Sequence, residues 1–258
     1  ALNRGSWTKM RDLGVVEYLA EQKEKGKIKY LGFSFHDDYE VFEDIVNYRD
    51  WDFCQIQLNY MDADEQAGLK GYKLTEEKNI PLVIMEPIKG GLLANLPEEV
   101  AESFKKVDPE KTVASWALRW VASLPNVKVV LSGMSDEAQL QNNLETFCDF
   151  KALNEAESKA VDEVAAILKK RVNNGCTGCR YCMPCPAGVN IPGNFKIWNQ
   201  YGIYCNDGDA KWQWGNNIAE SEKAHNCVKC GKCEAACPQK IKIREDLEKV
   251  TETFSKLQ

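Results

Sequence analysis

The sequence predicts an α/β fold built on a parallel sheet, followed by a small cysteine-rich domain of different character. Two observations support this prediction. Helix-like and strand-like stretches alternate from residue 9 to about residue 147, and eight of the eleven cysteines fall in two tight runs after residue 175. Strands that alternate with helices of ten or more residues indicate parallel pairing through right-handed crossovers.

The predicted strands are short apolar runs, at residues 28–34, 53–58, 81–85 and 127–131. The predicted helices show an apolar period of three to four residues. They cover residues 9–25, 38–48, 65–78, 108–123 and 136–147, and the fourth is expected to begin at Asp108 as its N-cap, with proline at the first helical position. Four such βα units make either an open doubly wound sheet or half of an eight-stranded barrel, and the pattern alone leaves both open.

The boundary between the two domains follows an amphipathic helix pattern at residues 154–172. Asn154 and Glu157 occupy the two positions of a capping box at its start. The pattern ends at Asn-Asn-Gly, residues 173–175, where a helix stop is expected. The sequence therefore predicts a first domain over residues 1–150, a linking helix within residues 151–174 and a second domain over residues 175–258.

Composition and charge limit the classes of function. The chain has 258 residues, of which 44% are hydrophobic and 28% charged, and its net charge is −6. General attraction to nucleic acid or to an anionic membrane is therefore not expected, and no run approaches the eighteen or so apolar residues of a membrane span. Tightly spaced cysteines suit a metal centre better than a disulfide framework, which indicates a reducing, cytoplasmic location.

The two cysteine runs have the spacing of [4Fe–4S] ligands. The run CTGCRYCMPCP contains Cys176, Cys179, Cys182 and Cys185, and the run CVKCGKCEAACP contains Cys227, Cys230, Cys233 and Cys237. In proteins with two such clusters, the fourth cysteine of each run ligates the other cluster. This rule predicts one cluster on the first three cysteines of the first run plus Cys237, and another on the first three of the second run plus Cys185.

Two Cys₄ zinc sites are the alternative reading of these runs, because paired CxxC motifs also bind zinc. Zinc has little use for three evenly spaced cysteines and a fourth before proline. The sequence therefore favours two [4Fe–4S] clusters.

Five segments in the first 150 residues, taken in order, resemble the aldo/keto reductase family, in particular its bacterial and archaeal members with a C-terminal ferredoxin extension. They are GKIKYLGFSFH (26–36), WDFCQIQLNYMD (51–62), IPLVIMEPIKGGLL (80–93), ALRWVASLPNVKVVLSGMS (117–135) and QLQNNL (139–144). The resemblance implies an eight-stranded (β/α) barrel that binds NAD(P)H at the C-terminal ends of its strands. This chain would supply about strands five to eight, a partial barrel, followed by a small ferredoxin-like iron–sulfur domain.

The resemblance also implies which residues contact the nicotinamide cofactor. Ser34 and Gln55 would bind the carboxamide, and Met85 would cover the ring. The contacts to the pyrophosphate and to the adenosine end would come from Ile88, Gly90, Ser132, Gly133, Ser135 and Asn143.

The type of nicotinamide cofactor is indicated by two positions. Many NADPH-specific members of the family have Lys and Arg where this chain has Gly133 and Gln139, so NADH is favoured over NADPH. Gln55 has an alternative interpretation. Gln55 and Gln57 also fit one polar face of a strand whose side chains make their hydrogen bonds within the core. His36 follows a strand end, and a solvated loop histidine is expected there.

No residue of this chain is assigned a catalytic role. The family's Tyr, Lys, Asp and His come from the first four strands, which by this alignment would precede Ala1. The leading prediction is thus the C-terminal part of an NAD(P)H-dependent aldo/keto reductase with two [4Fe–4S] clusters, inactive on its own. The alternative is an electron-transfer or docking iron–sulfur protein that uses the half-barrel as a scaffold.

The predicted partners follow from these two readings. They are the nicotinamide cofactor and a redox partner protein. Because a half-barrel exposes two strand edges, a dimer or a missing N-terminal half is also expected. If the clusters are purely structural, a third reading, no redox partner is needed.

Overall fold

The computed structural model describes residues 1–257, and Gln258 lies outside the described residues. The chain divides into two compact units, Ala1–Ala165 and a second unit that begins at Ala166. Within residues 1–257, no helix combines the length and the apolar character needed to cross a bilayer.

The first unit contains four parallel strands in one sheet. They are β1 (Gly32–Ser34), β2 (Phe53–Gln57), β3 (Leu82–Met85) and β4 (Val127–Val130). Their order in the sheet is their order in the sequence, and every neighbouring pair is parallel. Because crossovers between neighbouring parallel strands are right-handed, the connecting helices fall on one face of such a sheet.

The helices of the first unit precede, connect and follow these strands. They are α1 (Arg4–Asp12), α2 (Val15–Glu24), α3 (Tyr39–Tyr48), α4 (Gly68–Glu77), α5 (Glu98–Lys105), α6 (Val113–Ala122), α7 (Glu137–Cys148) and α8 (Glu155–Lys169), which begins in this unit.

The two faces of the sheet differ in burial. On β2, Cys54 and Ile56 are fully buried, whereas Gln55 remains partly exposed. β3 shows the same alternation, as expected for side chains that point to opposite faces of a strand. The buried face belongs to the same apolar core as Phe42 and Ile45 of α3, both fully buried. The opposite face of β2 and β3 remains half open.

Two predicted helix boundaries are wrong. The single helix predicted at residues 9–25 is two helices, because Gly14 takes the left-handed conformation, with φ 67°, that glycine adopts without a steric penalty. α6 begins at Val113 and not after Asp108. The Asp108 carboxylate is used in a local turn, and the Thr112 hydroxyl caps the helix instead.

A buried ion pair joins α6 to the first turn of α8. Arg119 and Glu157 lie 2.8 Å apart, with side chains only 7% and 11% exposed. Glu157 also accepts a hydrogen bond from the Asn154 backbone and donates its own N–H to the Asn154 side chain, which confirms the predicted capping box. Burial alone would raise the pKa of Glu157, but the hydrogen bonds from Arg119 and Asn154 outweigh it, so this pKa is lowered.

The second unit is helical. Its helices are α9 (Ile191–Tyr204), α10 (Asp207–Asn216), α11 (Lys232–Ala236) and α12 (Ile243–Leu257). The Trp214 and Phe254 rings stack with centroids 4.2 Å apart, and Phe195 is fully buried in the same core. Several cysteines of both runs pack against this core. Buried aromatic residues between the runs, such as Phe195 and Trp214, therefore belong to the interior against which the cysteine loops pack.

Candidate functional site

The two cysteine runs fold into loops with the same backbone pattern. The third and fifth residues of each CxxCxxC loop have positive φ: Gly178 (71°) and Arg180 (65°) in the first, Lys229 (55°) and Gly231 (77°) in the second. For a residue other than glycine, this conformation costs about 1–2 kcal/mol. Such strained residues gather where a loop holds a ligand. Two loops of different sequence thus follow one backbone path.

Each loop lines a cavity together with a cysteine from the other run. The larger cavity, of about 150 Å³, is lined by Cys227, Cys230, Cys233, Cys185 and Cys182. The smaller, of about 20 Å³, is lined by Cys176, Cys179, Cys182 and Cys237. The structure therefore brings together both crossed sets of cysteines that the sequence predicts as ligands. Cys182 and Ile191 belong to both walls.

The donor set fits an iron–sulfur cluster. Thiolates are soft ligands that favour iron–sulfur clusters, copper(I) or zinc. In the part of the chain that the structure describes, no three Cys, His, Asp or Glu side chains gather closely enough to hold a single metal ion. Cysteines of both runs instead line the two cavities. Burial raises the pKa of the Cys176, Cys182 and Cys233 thiols, so a metal centre must displace their protons to bind.

A different kind of site lies where β3 and β4 end. A cavity of about 580 Å³ is lined by six of the nine predicted cofactor residues: Ile88, Gly90, Ser132, Gly133, Ser135 and Asn143. The Asn143 amide donates to the Ser132 hydroxyl oxygen at 2.9 Å, which fixes its orientation. Among the lining residues Glu86 is the only charged one, and the lining contains neither lysine nor arginine.

The other three predicted residues lie on the open face of the sheet. Ser34 of β1 is in register with Gln55 of β2, and the Gln55 amide nitrogen lies 3.3 Å from the Met85 sulfur. Gln55 and Met85 do not line the 580 Å³ cavity, and Ser34 lines a separate cavity of about 400 Å³ that also contains Leu2. The structure thus places Ser34 and Gln55 on neighbouring strands, with Met85 beside Gln55, and the expected pyrophosphate and adenosine contacts around a different cavity.

The sequence prediction missed a polar network between the loops that follow β2 and β3. The Asp62 carboxylate accepts hydrogen bonds from the side-chain amides of Gln57 and Asn59, both at 3.0 Å, and an ion pair from Lys89. Asn59 also donates to the Glu86 carbonyl at 3.2 Å. These residues follow the carboxyl ends of neighbouring parallel strands, where ligand sites of α/β proteins lie. That position is the signal that could have identified them.

The same network reaches the loop after β1. Gln66 donates to the Gln57 side chain at 3.0 Å, and its amide oxygen lies 3.0 Å from the His36 Nδ1. His36 is only partly exposed. His36 thus lies in the loop after β1, partly exposed as expected for a loop histidine, and the amide of Gln66 contacts its ring.

The two edges of the sheet differ. On the β1 side, Leu2 forms a parallel bridge with Phe35: the Leu2 N–H donates to the Ser34 carbonyl at 2.6 Å, and the His36 N–H donates to Leu2 at 2.9 Å. On the β4 side, Val129 is 47% exposed. On the adjoining α7, the exposed apolar side chains include Leu140, Leu144 and Phe147.

Comparison with known proteins identifies two families along the chain. The model of the aldo/keto reductase family matches residues 7–166, and the model of a 4Fe-4S dicluster domain matches residues 175–242. No curated protein matches the chain significantly.

Among solved structures, the chain is similar to two whose sequences differ widely from it. An aldo-keto reductase from Bacillus halodurans, in its holo form, is 19% identical with a TM-score of 0.48, over 57% of this chain and 54% of that one. The glycerol dehydrogenase from Gluconobacter oxydans is 22% identical with a TM-score of 0.47, over 61% of this chain and 54% of that one. The chain spans about half the length of these solved relatives.

Proposed function

Because this chain belongs to the aldo/keto reductase family and carries a 4Fe-4S dicluster domain, we propose that it is the C-terminal part of an NAD(P)H-dependent oxidoreductase with two [4Fe–4S] clusters. The observation that carries the proposal is the 580 Å³ cavity at the ends of β3 and β4, where six residues expected to contact a dinucleotide come together. An elongated cofactor suits such a cavity at the carboxyl edge of a parallel sheet.

The residues present fit a nicotinamide dinucleotide, which supplies a hydride when bound. The side-chain amide of Asn143 and the hydroxyl of Ser132 would take the adenosine end, and the backbone near Gly90 would face the pyrophosphate. Gln55 and Ser34 would orient the carboxamide, with Met85 beside the ring. NADH is favoured over NADPH because no cation lines the cavity to pair with a 2′-phosphate.

The four-stranded sheet is, in this proposal, half of an eight-stranded barrel, completed by four further strands that carry the Tyr, Lys, Asp and His of the reaction. The sequential parallel order supports it, as does the half-open face that a barrel interior would fill. The apolar side chains exposed on β4 and α7 mark an edge that another strand and helix would cover.

Cofactor binding tests the proposal directly. In protein expressed anaerobically from its complete gene, NADH should bind with its fluorescence enhanced, and Asn143→Ala should weaken binding about tenfold because an anchoring amide is lost. Gln141→Ala, on the same helix but outside the cavity lining, should bind NADH as the unsubstituted protein does. Absence of NADH and NADPH binding by a protein with full iron content would overturn the nicotinamide part.

A second function, electron transfer with the α/β unit as a scaffold, is favoured by one observation. The two cysteine cavities share a wall at Cys182 and Ile191, and Cys179 and Cys230 are exposed, so two clusters would lie close together and near the surface. Rapid anaerobic reduction of the clusters by a one-electron donor, with none by NADH, would favour this function over the first.

A further inference from the structure

We propose that the surface around the two cysteine cavities is a docking site for an acidic one-electron carrier protein. Four basic residues at the cavity walls, Arg180, Lys229, Lys232 and Arg244, form what we name the cationic rim. This inference rests on the proposed clusters and adds the class of partner that exchanges electrons with them.

The cationic rim is positively charged, whereas the chain as a whole has a net negative charge. The chain has 39 acidic and 33 basic residues, yet the residues that line the two cavities include all four rim cations and no carboxylate. Such a local concentration of one sign attracts a partner of the opposite sign and speeds its encounter.

Nearby carboxylates offset only part of this charge. Arg244 pairs with Glu234 at 2.8 Å, and Lys229 pairs with Glu248, both at the protein surface. Over residues 1–257, no ion pair involves Arg180 or Lys232. Exposed pairs of this kind are weak. Before the negative charge of the proposed clusters is counted, about two positive charges of the rim therefore lack an ion-pair partner.

Backbone strain gives an independent reason to regard the charge as functional. Arg180 and Lys229 have positive φ at loop positions that glycine occupies in the other loop. Gly231 is the counterpart of Arg180, and Gly178 is the counterpart of Lys229. Glycine would be less strained at both. A basic side chain is thus present in each loop at a conformation that disfavours any side chain.

Two exposed side chains add apolar surface beside the larger cavity. Tyr181 is 70% exposed and Val228 is 67% exposed, and both line the 150 Å³ cavity next to Cys230. An exposed apolar patch bordered by charge is typical of a surface that binds another protein transiently. Charge complementarity then selects the occupant, an acidic protein that carries single electrons.

Electron transfer across this surface is balanced without a proton. A two-electron-reduced acidic flavodoxin would lose one electron, and one cluster would gain it. Neutralisation of the clusters' own negative charge is the competing role for the cationic rim. It predicts a changed cluster reduction potential with unchanged partner binding.

The test uses the holoprotein with its iron content measured, and an acidic flavodoxin as the probe. The double variant Arg180→Glu, Lys232→Glu should bind flavodoxin at least tenfold more weakly at low ionic strength, and the difference should shrink in high salt. Glutamate keeps a side chain at the strained position 180 and reverses its charge. Lys211→Glu together with Lys196→Glu, exposed on α10 and α9 outside both cavity linings, is the matched control of equal charge and should bind normally.

The outcomes separate the two proposals. Equal weakening in the rim and control variants overturns the docking site, and so does a shifted reduction potential with unaltered flavodoxin binding. Tighter binding to a short DNA duplex than to flavodoxin would also overturn it. A protein that holds no iron after anaerobic reconstitution overturns the proposed clusters and the docking site together, whereas full iron content without flavodoxin binding overturns the docking site alone.

Discussion

The Lys89 ammonium donates to both carboxylate oxygens of Asp62, with nitrogen–oxygen distances of 2.5 and 2.6 Å. The pair joins the loop after β3 to the loop after β2, and the two side chains are 27% and 11% exposed. Lys89 begins a short turn whose next residue, Gly90, lines the 580 Å³ cavity. The ion pair therefore holds one wall of the proposed dinucleotide site in place.

Removing the charge of Asp62 is expected to loosen that wall. In Asp62→Asn, Lys89 loses its ionic partner, so NADH affinity should fall about tenfold and the free energy of unfolding by about 1–3 kcal/mol. Isothermal titration with NADH and urea unfolding measure the two effects. Glu65→Gln, an exposed carboxylate in the same loop, is the control. If Asp62→Asn binds NADH as tightly as that control does, the ion pair does not position the loop.

Cofactor choice is expected to change with two added cations. A Cβ built at Gly133 meets no atom within 4 Å, so a side chain can begin there without a clash, and Gln139 lines the same cavity. Gly133→Lys combined with Gln139→Arg should raise NADPH affinity relative to NADH about tenfold, because both cations can pair with the 2′-phosphate. Gln141→Arg adds a cation outside the lining and should leave the ratio unchanged. An unchanged ratio in the double variant would mean that the 2′-position lies elsewhere.

Serine substitutions of cysteines should sort into two classes by cavity and not by position in the sequence. Cys179→Ser and Cys237→Ser both alter the smaller cavity and should deplete the same cluster, leaving roughly four of eight irons. Cys230→Ser should deplete the other cluster, recognisable by its different electron paramagnetic resonance signal. Cys205→Ser, in neither cavity, should keep full iron content. A Cys237→Ser spectrum that matches Cys230→Ser would refute the crossed ligand sets.

The Arg119–Glu157 ion pair should make stability depend on pH in the acid range. Glu157→Gln leaves Arg119 buried without its counter-charge, which should lower the free energy of unfolding by about 3 kcal/mol at pH 7. The pKa of Glu157 is lowered in the folded state. The stabilisation is therefore complete above the ordinary carboxyl pKa and is lost as pH falls through the lowered folded value.

Urea unfolding at pH 7 and at pH 3 checks this sign. The difference between the unsubstituted chain and Glu157→Gln should narrow at pH 3, which lies below the ordinary carboxyl pKa, because the unfolded chain already binds the proton there. Glu163→Gln on the same helix removes an exposed carboxylate 4.0 Å from Lys159 and should change stability little at either pH. A Glu157→Gln penalty that is the same at both pH values would contradict the argument.

The native mass should exceed that of this chain. The exposed apolar edge at Val129 and Leu140 is expected to be covered, either by further strands of the same polypeptide or by another chain. Mass spectrometry of the protein purified anaerobically from its source, together with light scattering, should give a particle larger than 29.2 kDa plus two clusters. A monodisperse monomer of that size would mean that four strands form a stable sheet alone.

Strand positions could be predicted from the sequence because the pattern is local. The predicted runs at 53–58, 81–85 and 127–131 differ from β2, β3 and β4 by one residue at an end. The first strand is shorter than predicted: within the predicted run only Gly32–Ser34 pairs with β2, and Tyr30 is 71% exposed. The residues at the start of the predicted run fit the apolar pattern of a strand but do not pair with β2. The sequence pattern does not show where pairing begins.

Contacts between distant loops could not be predicted in the same way. The spacing of the eight cysteines identifies them as candidate cluster ligands, and a general rule for two-cluster proteins predicts the two crossed ligand sets. Asp62 and Lys89 are 27 residues apart and carry no motif. Their pairing depends on how two strand ends lie next to each other, which becomes visible only in three dimensions. The same holds for the hydrogen bond between Gln66 and His36.

The positive φ of Arg180 and Lys229 implies a trade-off between thermal stability and function in the cysteine loops. Replacement by glycine at either position would relieve strain of about 1 kcal/mol or more in the folded loop, although glycine also gains freedom in the unfolded chain. A laboratory selection for thermal stability alone should therefore accept glycine at both positions. Each such glycine variant lacks one positive charge of the cationic rim. Electron exchange with the proposed acidic carrier is therefore expected to be slower in these variants.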